Sequence, residues 1–143
     1  MQARARSNPR DLLLQLEAAK TLEKNSDSAG AEAALRRALD LQRDSRAYRA
    51  LADLYAAQDD LDKALATLAE GGKALPEEYE GFMEASGQLC RRKGQPARAL
   101  KYFRDLAGRY ADPQMREPYE RQIKELNDII ASGGKPVPPQ GGK

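Results

Sequence analysis

Residues 45–76 read SRAYRALADLYAAQDDLDKALATLAEGGKALP, and this stretch decides the fold. Its first half carries Tyr48, Leu51 and Tyr55 at spacings of three and four residues, which is typical of one face of an α-helix. A polar turn follows, and a second stretch of helical periodicity runs on to Pro76, which cannot continue a helix. The segment therefore predicts two helices joined by a short turn.

The same arrangement of small and large residues occurs three times along the chain. Three alanines mark equivalent positions, Ala31, Ala64 and Ala99, and they lie 33 and 35 residues apart. The pattern runs bulky, small, bulky, alanine, bulky and a closing residue: Tyr48, Ala52, Tyr55, Ala64, Leu68 and Pro76 in the middle segment, Met83, Gly87, Cys90, Ala99, Phe103 and Ala111 in the third, and Gln15, Ala19, Leu22, Ala31, Leu35 and Arg43 in the first. Small residues at fixed positions predict close approach of helices, with the larger side chains filling the spaces beside them.

This pattern resembles the tetratricopeptide repeat family, whose signature places W-x2-L-G-x2-Y, A-x3-F and P in a period of about 34 residues. The resemblance covers about residues 9–111 and is closest in the middle segment. It implies an all-α fold, a right-handed solenoid of antiparallel helix pairs, with repeats at about 9–44, 45–78 and 79–112. Family members are non-catalytic modules that bind other proteins, and bacterial members commonly act as scaffolds in envelope or secretion assemblies.

The segments outside the three repeats have different predicted roles. Residues 114–131 carry one apolar helical stripe, formed by Tyr119, Ile123, Leu126 and Ile130. Because a repeat array cannot leave its last apolar face in water, this helix is expected to cap the stack. Residues 1–8 are expected to be a disordered arm, and residues 132–143 a disordered tail rich in glycine and proline.

Composition excludes several classes of protein. One valine, three isoleucines and two threonines leave almost no sheet-forming residues. With no histidine and a single cysteine, the chain cannot assemble a zinc site of nitrogen and sulfur ligands or a nucleophile paired with histidine. Cys90 occupies a core position of the third repeat and is expected to be an inert filler. We therefore expect that the protein is not an enzyme and that it has no catalytic, cofactor-binding or metal-binding residues.

Charge and hydropathy favour neither nucleic acid nor a membrane as the partner. The 24 basic and 22 acidic residues are interleaved, and no aromatic pattern accompanies the basic pairs. No run approaches the roughly 18 consecutive apolar residues of a membrane span. The sequence leaves the compartment open: a cytoplasmic location is expected for the sequence as given, and a periplasmic one if an amino-terminal signal has been removed. Its high content of alanine, leucine and arginine is typical of bacterial chains.

The resemblance also implies a binding surface, because the first helices of the repeats line a concave groove. Helical geometry places these nine residues on the face opposite the packed positions: Leu13, Leu16, Lys20, Arg46, Arg49, Asp53, Glu84, Gln88 and Arg91. The predicted groove is apolar in the first repeat and mixed or basic beyond it. A partner protein segment is expected there. The two leucines would equally suit self-association into a homo-oligomer, or continuation of a longer solenoid, through the amino-terminal helix.

Overall fold

The computed structural model describes residues 9–133, which are helical with no strand among them. The helices are α1 (Pro9–Lys24), α2 (Ser28–Leu41), α3 (Ser45–Ala57), α4 (Leu61–Ala74), α5 (Tyr79–Arg92), α6 (Pro96–Gly108) and α7 (Pro113–Ala131), with a 3-10 turn at Pro76–Glu78 between α4 and α5. The predicted all-α class is confirmed. The predicted arm at 1–8 and all of the predicted tail except Ser132 and Gly133 lie outside the described residues.

These helices belong to two compact units, which are described one at a time. The first unit ends at Tyr79 and contains α1 to α4, and the second begins at Glu80 and contains α5 to α7. In the first unit each helix packs against the next along the chain. In the second unit α6 packs against α7, where Leu126 is fully buried. Packing of helices that are adjacent along the chain is therefore common to both units.

The turn inside each predicted helix pair has the same backbone conformation. Ser26, Asp59 and Gly94 adopt φ angles of 60°, 59° and 70°, in the left-handed region that favours glycine. After each of them, a backbone N–H donates to the carbonyl oxygen five residues earlier: Asp27 to Leu22 at 2.8 Å, Asp60 to Tyr55 at 2.9 Å, and Gln95 to Cys90 at 2.8 Å. This is the Schellman arrangement of a helix end. Because the three turns lie 33 and 35 residues apart, the backbone repeats with the same spacing as the sequence pattern.

The small residues of the pattern lie where the helices leave no room. Ala31, Ala64 and Ala99 are each fully buried. In α5, a Cβ atom built on Gly87 would lie 2.9 Å from two ring carbons of Phe103 in α6, closer than real Cβ contacts. The three alanines are therefore buried as their predicted steric role requires, and at Gly87 the structure leaves no space for a larger residue.

The apolar stripe predicted for α7 is only partly covered. Leu126 is buried, Tyr119 and Ile123 are half-buried, and Ile130 is exposed. The ring of Tyr119 stacks on that of Tyr110 with 5.9 Å between centroids. The start of the helix is fixed by Asp112, whose carboxylate accepts the backbone N–H of Gln114 at 2.9 Å.

Candidate functional site

Two helices that were predicted to line a binding groove come together in the first unit. Leu12 of α1, Ala38 of α2 and Ala47 of α3 form a buried cluster, and Leu16 of α1 packs against it. The exposed side chains of α1 and α3 therefore flank a common apolar contact. This arrangement places the predicted residues of the first and second repeats on neighbouring helices of one compact unit.

On α1, the two predicted leucines differ in exposure. Leu13 is 48% exposed, and Lys20, two turns further on, is exposed as well. Leu16 is half-buried, because it packs on the cluster of Leu12, Ala38 and Ala47. The sequence analysis expected both leucines on a wet face. The physical reason for the difference is that Leu16 lies only about 40° around the helix from the buried Leu12, whereas Leu13 lies about 100° away.

On α3, all three predicted residues are exposed, but Arg46 is engaged by a neighbour that sequence analysis missed. Its guanidinium donates two hydrogen bonds to the Asp44 carboxylate, at 2.9 and 3.0 Å. Asp44 also accepts the Arg46 backbone N–H at 2.8 Å and thereby caps α3. The hydrogen bond from Arg46 lowers the pKa of Asp44, and the same contact raises the pKa of Arg46. An acid directly before the predicted helix start at Ser45 was the available signal.

This pairing changes the electrostatics of the face. Asp44 balances the charge of Arg46, and Lys20 and Arg49 are the other basic residues predicted for this face. Asp53 adds one negative charge on α3. The first unit therefore presents an exposed leucine on helices that carry charges of both signs.

On α5, in the second unit, the predicted residues lie close to side chains of α7. Arg91 forms an ion pair with Glu125 at 2.8 Å and donates a hydrogen bond to Gln122. The pKa of Tyr119 is raised chiefly by burial and next by the negative charge of Glu84. Gln88, between Glu84 and Arg91 on the same helix, is half-buried. Within the second unit, side chains of α7 therefore interact with the face of α5 that was expected to bind a partner.

The first unit has a cleft that was not predicted. The cleft, of about 430 Å³, is lined by Arg36, Leu39, Asp40, Arg43, Tyr48, Glu70, Lys73 and Ala74. At its edge Arg36 lies 4.0 Å from Glu70 and donates to the Tyr55 hydroxyl at 3.2 Å. That hydroxyl donates to Glu32 at 2.6 Å, so a polar network joins α2, α3 and α4. The basic pair at Arg36 was the only sequence signal, and its observed role is structural.

The chemistry of the described residues offers few reactive groups. Cys90 is buried, and that burial raises the pKa of its thiol against a smaller opposing effect of Arg98. A raised thiol pKa disfavours the nucleophilic thiolate. Among residues 9–133, no three His, Cys, Asp or Glu side chains are placed to hold a metal ion together.

None of the helices in the described part of the chain is long and apolar enough to cross a membrane.

Comparison with known proteins finds no relative of this chain. No family model, no curated protein and no solved structure matches the chain.

Proposed function

We propose that this chain is a repeat protein of the tetratricopeptide type that binds a segment of another protein and has no catalytic role. In this proposal the three helix pairs form a right-handed solenoid and α7 is its capping helix. The left-handed backbone conformation of the three turns and the fully buried alanines, both spaced by 33 and 35 residues, support the repeat.

The observation that carries the binding proposal is the exposure of Leu13. Burying a leucine side chain contributes roughly 1.5–3 kcal/mol, so a leucine that is 48% exposed beside exposed polar residues is a strong candidate for an anchor point. Lys20 of α1 and Arg49 of α3 are exposed, and in this proposal they are the basic residues that act together with it. The partner segment that fits this surface carries an apolar side chain near one end and acidic groups along its middle.

The two kinds of contact would act on different steps of binding. An exposed ion pair contributes only about 0.2–1 kcal/mol, less than a buried leucine, so Leu13 should dominate affinity and slow dissociation. Lys20 and Arg49 should instead speed association, because long-range attraction steers the encounter and is screened by salt. Asp44 reduces the contribution of Arg46 to this steering, because it already balances that charge.

The test is selection of binding peptides from a random displayed library, followed by kinetics on synthetic copies of those selected. We expect peptides with an apolar residue near one end and several acids. Leu13→Ala should weaken binding roughly tenfold at every salt concentration, through faster dissociation. Arg49→Glu should slow association, chiefly at low salt.

Two matched variants control this test. Leu14→Ala removes a leucine that is 60% exposed, against 48% for Leu13, and that lies about 100° around the same helix. Arg104→Glu reverses an exposed charge on α6. Neither should change peptide binding. If the selected peptides bind the Leu13→Ala and Arg49→Glu variants as tightly as the parent chain, this face is not the binding surface.

The proposal includes a setting for this activity. A bacterial assembly, such as an envelope or secretion system, is the setting in which bacterial members of the family commonly act as scaffolds. The composition rich in alanine, leucine and arginine supports a bacterial source.

A further inference from the structure

One face of α1 differs from its counterparts in the other helix pairs. Leu14, Ala18 and Thr21 are exposed, and Leu14 is 60% exposed. The residues 33 positions later in α3 are only 0%, 0% and 4% exposed: Ala47, Leu51 and Leu54. The residues a further 35 positions along, in α5, are buried as well: Phe82, Ser86 and Leu89. The same face of the first helix in a pair is therefore buried in α3 and α5 and exposed in α1.

The structure shows what covers this position in α3. Ala47 lies in the buried cluster with Leu12 of α1 and Ala38 of α2, so the preceding helix pair packs on it. This face of a first helix is thus shaped to receive another helix pair. Among the described residues, nothing is packed on Leu14 and Ala18 in the way that α1 and α2 are packed on α3.

The second helix of the first pair extends the same face. In α4, Glu70 lies 4.0 Å from Arg36 of α2, so this position of a second helix points toward the preceding pair. Its counterpart 33 residues earlier is Arg37, one turn before the exposed Leu41. We define Leu14, Ala18, Thr21 and Leu41 as the first-pair face, with Arg37 on α2 and the exposed acids Asp11 and Glu17 on α1 at its margins.

We propose that the first-pair face binds the same face of a second copy of this chain, around a two-fold axis. A two-fold interface must be complementary to itself. If one residue of the first copy contacts a second residue of the other copy, the reverse contact is made as well. The first-pair face meets this condition in charge, with Arg37 on one helix and Asp11 and Glu17 on the other. The apolar positions then meet in the centre, where the small Ala18 permits close approach of the helices. The second copy thereby covers the positions of α1 whose counterparts in α3 are buried.

This inference is independent of the peptide-binding proposal, because Leu13 is not part of the first-pair face. The test is sedimentation of the whole chain at concentrations from about 10 µM to 1 mM. The parent chain should dimerise and form no larger species. Leu14→Glu should raise the dissociation constant at least about tenfold, since it places a charge at the centre of the contact. Because Leu14 is exposed in the monomer, the variant should remain folded by circular dichroism.

Met115→Glu is the matched control, since Met115 is a large hydrophobic residue of α7 that is 52% exposed. It should leave the dimer unchanged. A parent chain that is monomeric at all these concentrations would overturn the inference. Growth into open-ended polymers that Met115→Glu abolishes would overturn it too, because that result means head-to-tail contact between α1 and α7.

Charge reversal tests the two-fold arrangement itself. Arg37→Glu should weaken the dimer, because it places like charges opposite Asp11 and Glu17. Adding Asp11→Lys and Glu17→Lys to that variant should restore dimerisation. Restoration supports the symmetric pairing, whereas a triple variant as weak as Arg37→Glu alone contradicts it.

Discussion

The first and second helix pairs differ in the environment of one face and agree in nearly everything else. Both have a left-handed residue in the turn, Ser26 or Asp59, and both bury an alanine completely at the equivalent position, Ala31 or Ala64. Yet Ala18 is exposed where Leu51 is fully buried. The comparison teaches that contacts within a pair are determined by the repeat pattern, whereas contacts between pairs depend on what lies next in the array.

The largest expected effect concerns the shared part of this comparison. Ala64→Glu should place a carboxylate in a fully buried contact, which costs several kcal/mol against a total stability of about 5–15. Ala31→Glu should be equally damaging if the two pairs are equivalent. Thermal and chemical unfolding, followed by circular dichroism, measure both.

Ala66→Glu is the control for this prediction. Ala66 lies on the same helix as Ala64 but is exposed, so its replacement should change stability by less than about 0.5 kcal/mol. Equal melting temperatures for the Ala64→Glu variant and the parent would contradict the proposed repeat register.

The distinction between contacts within a helix pair and contacts between pairs also decides how much of the fold the sequence predicts. The all-helical class was predictable, and so was the short turn between α3 and α4, because helical periodicity and turn-forming residues are local signals. The spacing of Ala31, Ala64 and Ala99 also predicted where helices approach most closely. The uncovered Ala18 could not be predicted, because the pattern places it on a packed face and only the order of pairs decides whether anything packs there.

The second prediction measures the difference between the two faces directly. Leu51→Ala should destabilise the fold by about 2–5 kcal/mol, because the leucine is fully buried and its loss leaves a cavity. Leu14→Ala should cost less than about 0.5 kcal/mol in the monomer, because its side chain is mostly in water.

Urea titration at low protein concentration, where any dimer dissociates, measures both values. Similar losses in the two variants would mean that the first-pair face is covered within the monomer, which would remove the basis of the proposed two-fold contact.

The third prediction concerns pH and the start of α3. Hydrogen bonding to Arg46 lowers the pKa of Asp44 in the folded chain, so this carboxylate contributes stability above its unfolded pKa of about 3.9. That contribution should be lost as the pH falls through the lower, folded pKa. Asp44→Ala should cost about 0.5–2 kcal/mol at neutral pH, because it removes the helix cap.

Asp44→Asn separates capping from charge, since asparagine caps a helix as well as aspartate does. It should retain most of the stability at neutral pH and lose the dependence on acid pH that Asp44 contributes. An unchanged acid unfolding curve for this variant would show that the contact with Arg46 adds nothing to stability.

The candidate site was predicted less completely than the fold, for a related reason. Helical geometry correctly placed Leu13, Lys20 and Arg49 on an exposed face. It could not find the bond between Arg46 and Asp44, which depends on the extended backbone of the capping residue. It also could not find that Arg91 pairs with Glu125 of α7, because residues 34 apart in sequence are brought together only by tertiary packing.

The smallest expected effect tests whether the turns of different pairs are interchangeable. Ser26 and Gly94 occupy equivalent positions with φ angles of 60° and 70°, a conformation that costs a side-chain-bearing residue more than it costs glycine. Nothing lies within 4 Å of a Cβ atom built on Gly94, so a replacement there meets no steric obstacle beyond the backbone conformation itself. Ser26→Gly should therefore stabilise the chain by about 0.5–1 kcal/mol, and Gly94→Ser should destabilise it by a similar amount.

Unfolding free energies of the two variants and of the double swap measure this, and the double swap should match the parent because the sites lie far apart in sequence and act separately. Two changes of the same sign would mean that the turns, despite their equal backbone angles, are held by different local forces, and the equivalence of the first and third pairs would then rest on the buried alanines alone.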